Sequence, residues 1–381
     1  MKQTIRIILI FSLSVLMLGI FTSPSPILAE ALLIYTKSPV ANALNVVKIS
    51  NIEVQFSSSI NSGSINENTF NVDGSLSGKV AGSYSGGGTS NITFNPISDF
   101  KAGETVTITL TTGIMGENGT ALANPVTWQF VVDVPQGSAN FNDSEQVIGS
   151  SNSYKVCLGD VDDDGDLDAF VANFGQGDEG WVNNDANFGQ GNKVWLNNGS
   201  GSFTDSGQTL GNSTSKGISM GDVDGDGDID AFLINQNQAH RVWLNDSSGN
   251  FIDDLQLLGS SDISSWRWSI GVCLGDVDGD GDLDAFIANS NNLANRVWLN
   301  DGTGNFSDSG QSLASAYSFD VSLGDIDGDG DLDAFVANAN IWDLVVASSG
   351  EGNRVWLNDG TGNFSDSGQS LGNSFSFGRS W

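Results

Sequence analysis

GDVDGDGDIDAFLIN, from Gly221 to Asn235, places aspartate at every second position, Asp222, Asp224, Asp226, Asp228 and Asp230, and then enters an apolar run rich in strand formers. A hard cation such as Ca²⁺ takes roughly six to eight oxygen ligands at about 2.3–2.6 Å. Carboxylates on alternate residues of a tight loop can all turn inward towards such an ion. Counting Asp222 as position one, Gly227 at position six permits the sharp turn that wraps the chain round it. Asp228 at position seven is expected to offer its backbone carbonyl, and Asp230 at position nine to close the site from the start of the next strand.

The string recurs in phase. GDVDDDGDLDAFVAN begins at Gly159, GDVDGDGDLDAFIAN at Gly275 and GDIDGDGDLDAFVAN at Gly324. The corresponding candidate ligands are Asp160, Asp162, Asp164, Asp166 and Asp168; Asp276, Asp278, Asp280, Asp282 and Asp284; and Asp325, Asp327, Asp329, Asp331 and Asp333. About four Ca²⁺ sites are therefore expected. An EF-hand would need a bidentate Glu at position twelve and a helix after it. Position twelve is instead Val171, Leu233, Ile287 and Val336, all apolar and in strand-like runs. Mg²⁺ rarely uses an all-protein cage, and a zinc site lacks ligands in a chain with one His and two Cys. Metal-free acidic turns would leave five carboxylates per loop repelling one another.

A second string follows each loop: KVWLNNGSGSF from Lys193, RVWLNDSSGNF from Arg241, and RVWLNDGTGNF from Arg296 and again from Arg354. A third element of the type FSDSGQSLG comes next. Each unit reads as four short strands, with the Asp loop between the first two and a Gly/Asp hairpin between the last two. Repeats of about 50 residues of this kind fit propeller blades. The units resemble FG-GAP/VCBS repeats, related to the integrin α-chain head. The resemblance implies a β-propeller with Ca²⁺ in its blade loops, used in adhesion or ligand binding. Residues 140–381 are assigned to it. Asn140 to Gly149 matches a fourth strand without its predecessors, and the stretch ending at Trp381 matches a first strand. Four full blades with partial ends, a truncation of a longer array, are therefore expected, with a closed four-blade form as the alternative.

Ahead of the repeats, residues 32–134 alternate as strands do: Ile52, Val54 and Phe56; Ile92 and Phe94; Val106, Ile108 and Leu110; Val126, Trp128, Phe130 and Val132. Roughly seven short strands in such a length predict a β-sandwich. The segment FNPISDFKAGETVTITLTTGIMGENGTALANPVTWQFVV resembles the bacterial Ig-like domains of surface-layer (SbsA-type) and adhesin-type proteins, which implies a spacer or presenting module. Lys2 and Arg6, the apolar run Ile7 to Phe21 and the small residues Ala29 and Ala31 read as a secretory signal peptide over residues 1–31. The fold class expected is all-β, an Ig-like β-sandwich followed by a β-propeller, secreted or held at the cell surface.

The net charge of −32 excludes binding to nucleic-acid phosphates, which needs a basic face. Cys157 and Cys273 stand where other copies have Ser219 and Ser322, so they read as small packed strand residues rather than a disulfide. Lys193, Arg241, Arg296 and Arg354 share a strand face with Trp195, Trp243, Trp298 and Trp356. Repeat packing is the ordinary reading there, with a cation–π stack or a carbohydrate-binding face as alternatives. His240 reads as structural. The long segments Phe174 to Lys193 and Ala339 to Arg354, with Trp181 and Trp342, are candidates for partner contact. No catalytic residue is assigned. The expected role is a Ca²⁺-dependent binding or adhesion module for an extracellular protein or carbohydrate. The alternatives are part of an extracellular polysaccharide-active enzyme and a structural surface-layer component.

Overall fold

The computed structural model describes residues 31–134, 143–174, 190–259, 269–339 and 352–372. The signal-peptide reading, Trp181, Trp342 and the first-strand match before Trp381 lie outside the described residues. Regular structure among the described residues is all strand apart from one 3₁₀ turn at Ser62–Ser64. None of their helices is long and apolar enough to cross a membrane.

Nine strands form the first module: β1 (Ile34–Ser38), β2 (Ala43–Val46), β3 (Ile52–Phe56), β4 (Phe70–Gly74), β5 (Gly78–Lys79), β6 (Gly82–Ser85), β7 (Asn91–Pro96), β8 (Thr105–Leu110) and β9 (Val126–Val132). They make two sheets, ordered β1-β3-β7-β6 and β2-β9-β8-β4-β5. The period-two faces read from the sequence are the core: Ile52, Val54, Phe56, Ile92, Phe94, Val106, Ile108, Leu110, Trp128 and Phe130 are all buried in one cluster. The seven expected strands become nine because β2, of four residues, and β5, of two, are too short to show an alternating face. β2 is the exception in pairing, lying parallel to β9.

Four further sheets follow in chain order. The first holds β10 (Ser153–Gly159), β11 (Asp168–Asn173), β12 (Lys193–Asn197) and β13 (Phe203–Asp205). The second holds β14 (Ser215–Gly221), β15 (Asp230–Asn235), β16 (Arg241–Asn245) and β17 (Phe251–Asp253). The third holds β18 (Ser269–Gly275), β19 (Asp284–Asn289), β20 (Leu293–Asn300) and β21 (Phe306–Asp308), with β22 (Leu313–Ala316) added on β20. The fourth holds β23 (Ser318–Gly324), β24 (Asp333–Asn338), β25 (Asn353–Asn358) and β26 (Phe364–Leu371). Each is an antiparallel meander in which one register recurs: Gly159 faces Asp168, Gly221 faces Asp230, Gly275 faces Asp284 and Gly324 faces Asp333. The Asp loop is therefore the hairpin connection of the first two strands in every sheet.

Consecutive sheets are stitched by repeated contacts. Phe170, Phe232 and Phe286 of the second strands meet Phe251, Phe306 and Phe364 of the following sheets edge to face, with centroids 5.1, 5.0 and 5.2 Å apart. Gln208 donates to the Gly249 carbonyl and accepts from the Phe251 N–H of the following sheet. Gln256 and Gln311 repeat the pair on Gly304 with Phe306 and on Gly362 with Phe364. These clamps shorten the fourth strand, expected as a nine-residue run. In three sheets its ladder ends after three residues, and the chain then turns to carry Gln to the neighbour. Ser144–Gly149 likewise forms no strand, yet Gln146 makes the same bonds to Gly201 and Phe203. The first strands of the first and fourth sheets approach through Lys155 and Asp320, 3.6 Å apart.

Candidate metal centre

Each Asp loop is shaped by its glycines. Gly225, Gly279 and Gly328 at position four adopt φ of 77°, 75° and 85°, and Gly165, Gly227, Gly281 and Gly330 at position six adopt 96°, 103°, 104° and 102°. Both positions lie in the left-handed region that glycine enters without steric cost. The first loop has Asp163 at position four, at φ 58°.

These turns bring carboxylate oxygens of three aspartates within 4.8 Å of one another in every loop: Asp160, Asp162 and Asp164; Asp222, Asp224 and Asp230; Asp276, Asp278 and Asp284; and Asp325, Asp327 and Asp333. Positions one, three and nine converge in the last three loops, and positions one, three and five in the first. Position-nine aspartates are fully buried and held at both oxygens. Asp230 Oδ2 accepts the Val223 N–H at 2.9 Å and Oδ1 the Asn245 N–H at 2.8 Å. Asp168, Asp284 and Asp333 make the equivalent pairs. Position three accepts the position-five N–H in the last three loops, as Asp224 does from Asp226 at 3.2 Å.

Position five accepts the N–H of position seven in every loop: Asp164, Asp226, Asp280 and Asp329, and only Asp164 also joins a tight group. Position seven turns away. Asp228 accepts the Ser247 hydroxyl at 2.6 Å, and Asp166, Asp282 and Asp331 lie against Gly199, Gly302 and Gly360 of the second hairpin. The side chains of Asp226, Asp228, Asp280, Asp282, Asp329 and Asp331, and of Asp166 and Asp168, are thus outside the tight groups.

Burial is the leading cause of a raised carboxyl pKa across the loops. It pushes Asp222 up to about 6, Asp276 to about 7 and Asp230 to about 8, neighbouring aspartates adding to it in each case. Asp284 is raised well above the ordinary range for the same reason. Such carboxylates are expensive to ionise without a counter-charge. In the first loop, Asp160 Oδ1 and Asp162 Oδ1 are buried without a hydrogen-bond partner. Orphaned buried acceptors and an all-oxygen donor set fit a hard cation.

Two supports escaped the reading of the sequence. One is the Asn ending each third strand. Asn245, Asn300 and Asn358 give their N–H to position nine, while their Nδ2 bonds Val161, Val223 and Val277 in the preceding loop. The signal was present, since each RVWLN or KVWLN string ends on it. The other is the first module itself. Lys101 bonds Asp160, Asn71 Nδ2 donates to Gly281 O at 2.6 Å, Asn42 Nδ2 to Asp325 O at 3.2 Å, and the Thr127 N–H to Gly330 O at 2.7 Å.

The basic residues of the third strands pair with aspartates of the fourth: Lys193 with Asp205, Arg241 with Asp253, Arg296 with Asp308 and Arg354 with Asp366, at 3.0–3.8 Å. Repeat packing accounts for them. His240 is buried and accepts the Asn235 N–H at 3.2 Å, the role Asn192, Asn295 and Asn353 fill elsewhere. Cys157 and Cys273 are free thiols on β10 and β18.

Residues 29–132 match the model of the bacterial Ig-like domain. Residues 160–233, 222–287 and 276–336 match that of the FG-GAP-like repeat, each span running from one Asp loop into the strand after the next. The chain is thus built from a bacterial Ig-like domain followed by FG-GAP-like repeats. No curated protein matches the sequence. Among solved structures it is similar to the exotype rhamnogalacturonan lyase YesX, at 12% identity over 85% of this chain and 67% of that one, with a TM-score of 0.34. It is also similar to CopC from Methylosinus trichosporium OB3b, at 13% identity over 27% and 93% with a TM-score of 0.20. The N-terminal part of the bacterial S-layer protein SbsC is similar at 12% identity over 60% and 42%, with a TM-score of 0.21. This chain spans less than half of that S-layer fragment. Likenesses this loose assign no activity.

Proposed function

We propose that this is a secreted, Ca²⁺-stabilised binding or adhesion protein in which residues 140–381 form a β-propeller segment and residues 32–134 a presenting module behind a signal peptide of residues 1–31. The observation that carries the reading is that a group of three converging aspartates recurs in the first hairpin loop of each of four sheets, built on positions one and three every time. An all-oxygen cage on a flexible loop suits Ca²⁺ better than Mg²⁺, which keeps much of its water, or Zn²⁺, which prefers nitrogen and sulfur. When bound, the ion supplies the positive charge that lets the buried aspartates ionise. The chain's own part is to hold position nine between two N–H donors and to aim positions one and three at it. Sheets joined side by side through Phe, Gln and Asn contacts support the propeller arrangement.

We also propose a non-catalytic role, which the engagement of the position-nine acids supports. Position-nine carboxylates accept two backbone N–H bonds each, which leaves them poorly placed for proton transfer to a substrate. The partner proposed is an extracellular protein or carbohydrate, since a charge of −32 repels nucleic acid. Isothermal titration of the metal-depleted chain with Ca²⁺ and, separately, Mg²⁺ tests the site. Uptake of several Ca²⁺ per chain with a raised melting temperature is expected. No Ca²⁺ uptake, or equal response to Mg²⁺, would overturn it. Binding on a glycan array that disappears on chelation would identify the carbohydrate class.

A further inference from the structure

The four loops are not equivalent. We propose that Lys101 of the Ig-like module makes the first Asp loop a cation site of a separate, weaker class than the other three, by holding a fixed ammonium on one of its carboxylates. The inference rests on the cation-binding reading above and extends it to how the sites differ.

Lys101 Nζ bonds Asp160 Oδ2, both side chains being largely withdrawn from solvent. The lysine is anchored at its base. Its N–H donates to Glu104 Oε1 at 2.5 Å, and buried Glu104 also accepts the Ser77 hydroxyl at 2.7 Å. Among the described residues this is the one contact ion pair made to a loop aspartate; Lys79 acts on Asp222 and Asp282, and Lys37 on Asp325 and Asp331, only through longer-range attraction.

The loop itself has adapted. In the other loops, position one accepts the position-four N–H at Oδ1: Asp222 from Gly225, Asp276 from Gly279 and Asp325 from Gly328, at 2.7–2.8 Å. In the first loop Asp160 Oδ1 lacks a partner, as does Asp162 Oδ1, and both are buried. The converging group shifts from position nine to Asp164. The first loop therefore keeps acceptors aimed at an ion while an internal cation neutralises part of its charge. A groove of about 650 Å³ lined by Lys48, Lys101, Asp133, Gly165 and Leu167 opens beside it, so an ion can arrive from solvent. A divalent ion there feels the Lys101 charge across one carboxylate, and the repulsion lowers its affinity. Linkage makes the effect reciprocal: filling the first loop weakens the bond that Lys101 makes to the repeats.

Direct Ca²⁺ binding to the metal-depleted full chain, by flow dialysis with radioactive calcium, tests this. Three tight sites and one at least roughly tenfold weaker are expected. Lys101→Met should strengthen the weak site by roughly tenfold or more, and Lys101→Arg should leave it weak. Lys101→Gln removes the charge but keeps a donor for Asp160. It should act as Lys101→Met does, and it serves if the methionine variant fails to fold. Four indistinguishable sites in the wild type would overturn the proposal and leave the Ca²⁺ reading standing, as would a weak site unmoved by both neutral variants. No uptake by any protein would overturn both.

Discussion

Substituting Asp230 by Asn separates the structural from the metal-binding role of a position-nine aspartate. Asp230 is fully buried, accepts two N–H bonds and has its pKa pushed up to about 8. Without metal at pH 7 it is therefore mostly protonated, and Asn is close to that neutral form in shape. An amide offers one acceptor oxygen where the acid has two, so its NH2 is set against one of the two buried N–H groups and leaves that donor unpaired, at a cost of about 1–3 kcal/mol. With metal the account changes. A ligand that binds only the folded state stabilises it by about 2.7 kcal/mol per site at a hundredfold excess over Kd. Asn brings no negative charge, so the second loop should forfeit most of that amount. Thermal unfolding of the wild type and Asp230→Asn, each in metal-depleted buffer and in saturating Ca²⁺, gives the four corners of a cycle. The expected pattern is a modest fall in melting temperature without metal, from the unpaired N–H, and a Ca²⁺-induced rise smaller in the variant by roughly 5 °C or less. An equal rise in both proteins would show that Asp230 is no ligand. A variant that collapses in both buffers would show that its bonds to Val223 and Asn245 dominate.

Three further outcomes are expected. Asp222, Asp276 and Asp230 have pKa values raised to about 6, 7 and 8, so between about pH 4 and pH 8 the metal-free fold holds more protons than the unfolded chain. Its stability should therefore fall as pH rises through that window, whereas the Ca²⁺-loaded protein, which needs ionised ligands, should gain; metal-free melting temperatures that climb from pH 5 to pH 8 would contradict this. Gln208→Ala breaks the clamp on Gly249 and Phe251 and should cost about 2–4 kcal/mol in urea unfolding, with the number of Ca²⁺ bound unchanged. Asp163→Gly relieves a non-glycine residue at φ 58° and should stabilise by roughly 1 kcal/mol, so a lower melting temperature would mean that the Asp163 side chain does something the loop needs.

The parts of the fold readable in the sequence were those governed by local periodicity. Ile52, Val54 and Phe56 alternate because one side of β3 faces a core, and that needs no knowledge of the partner strand. The Asp loop was readable for a similar reason: it begins and ends within one hairpin, and Gly221 pairing with Asp230 closes it. What escaped was non-local. Asn358 looks like an ordinary polar residue at a strand end, until its Nδ2 is found on Val277, 81 residues earlier. Gln311 sits in a string that reads as continuing a strand, but its side chain is spent on the next sheet. His240 reads as structural in the sequence, and the structure gives it that place. A lone His invites a chemical role, but it stands in the slot of an Asn and does the work of one.

The spacing of the aspartates fixes which residues share a loop, but not how each is used. All five acids of a loop look alike in sequence, and the structure sorts them by what else they must satisfy. Position nine is buried at a strand start, where two N–H groups need acceptors, so its orientation is set before any ion arrives. Position seven faces the second hairpin, where Gly302 and Gly360 leave room for a carboxylate, and so has only its carbonyl to give. The first loop departs because Lys101 reaches it from a separate module, about 60 residues upstream. A motif repeated four times therefore need not make four equal sites. Equality holds only where surroundings repeat as faithfully as the sequence does, and at Asp160 they do not.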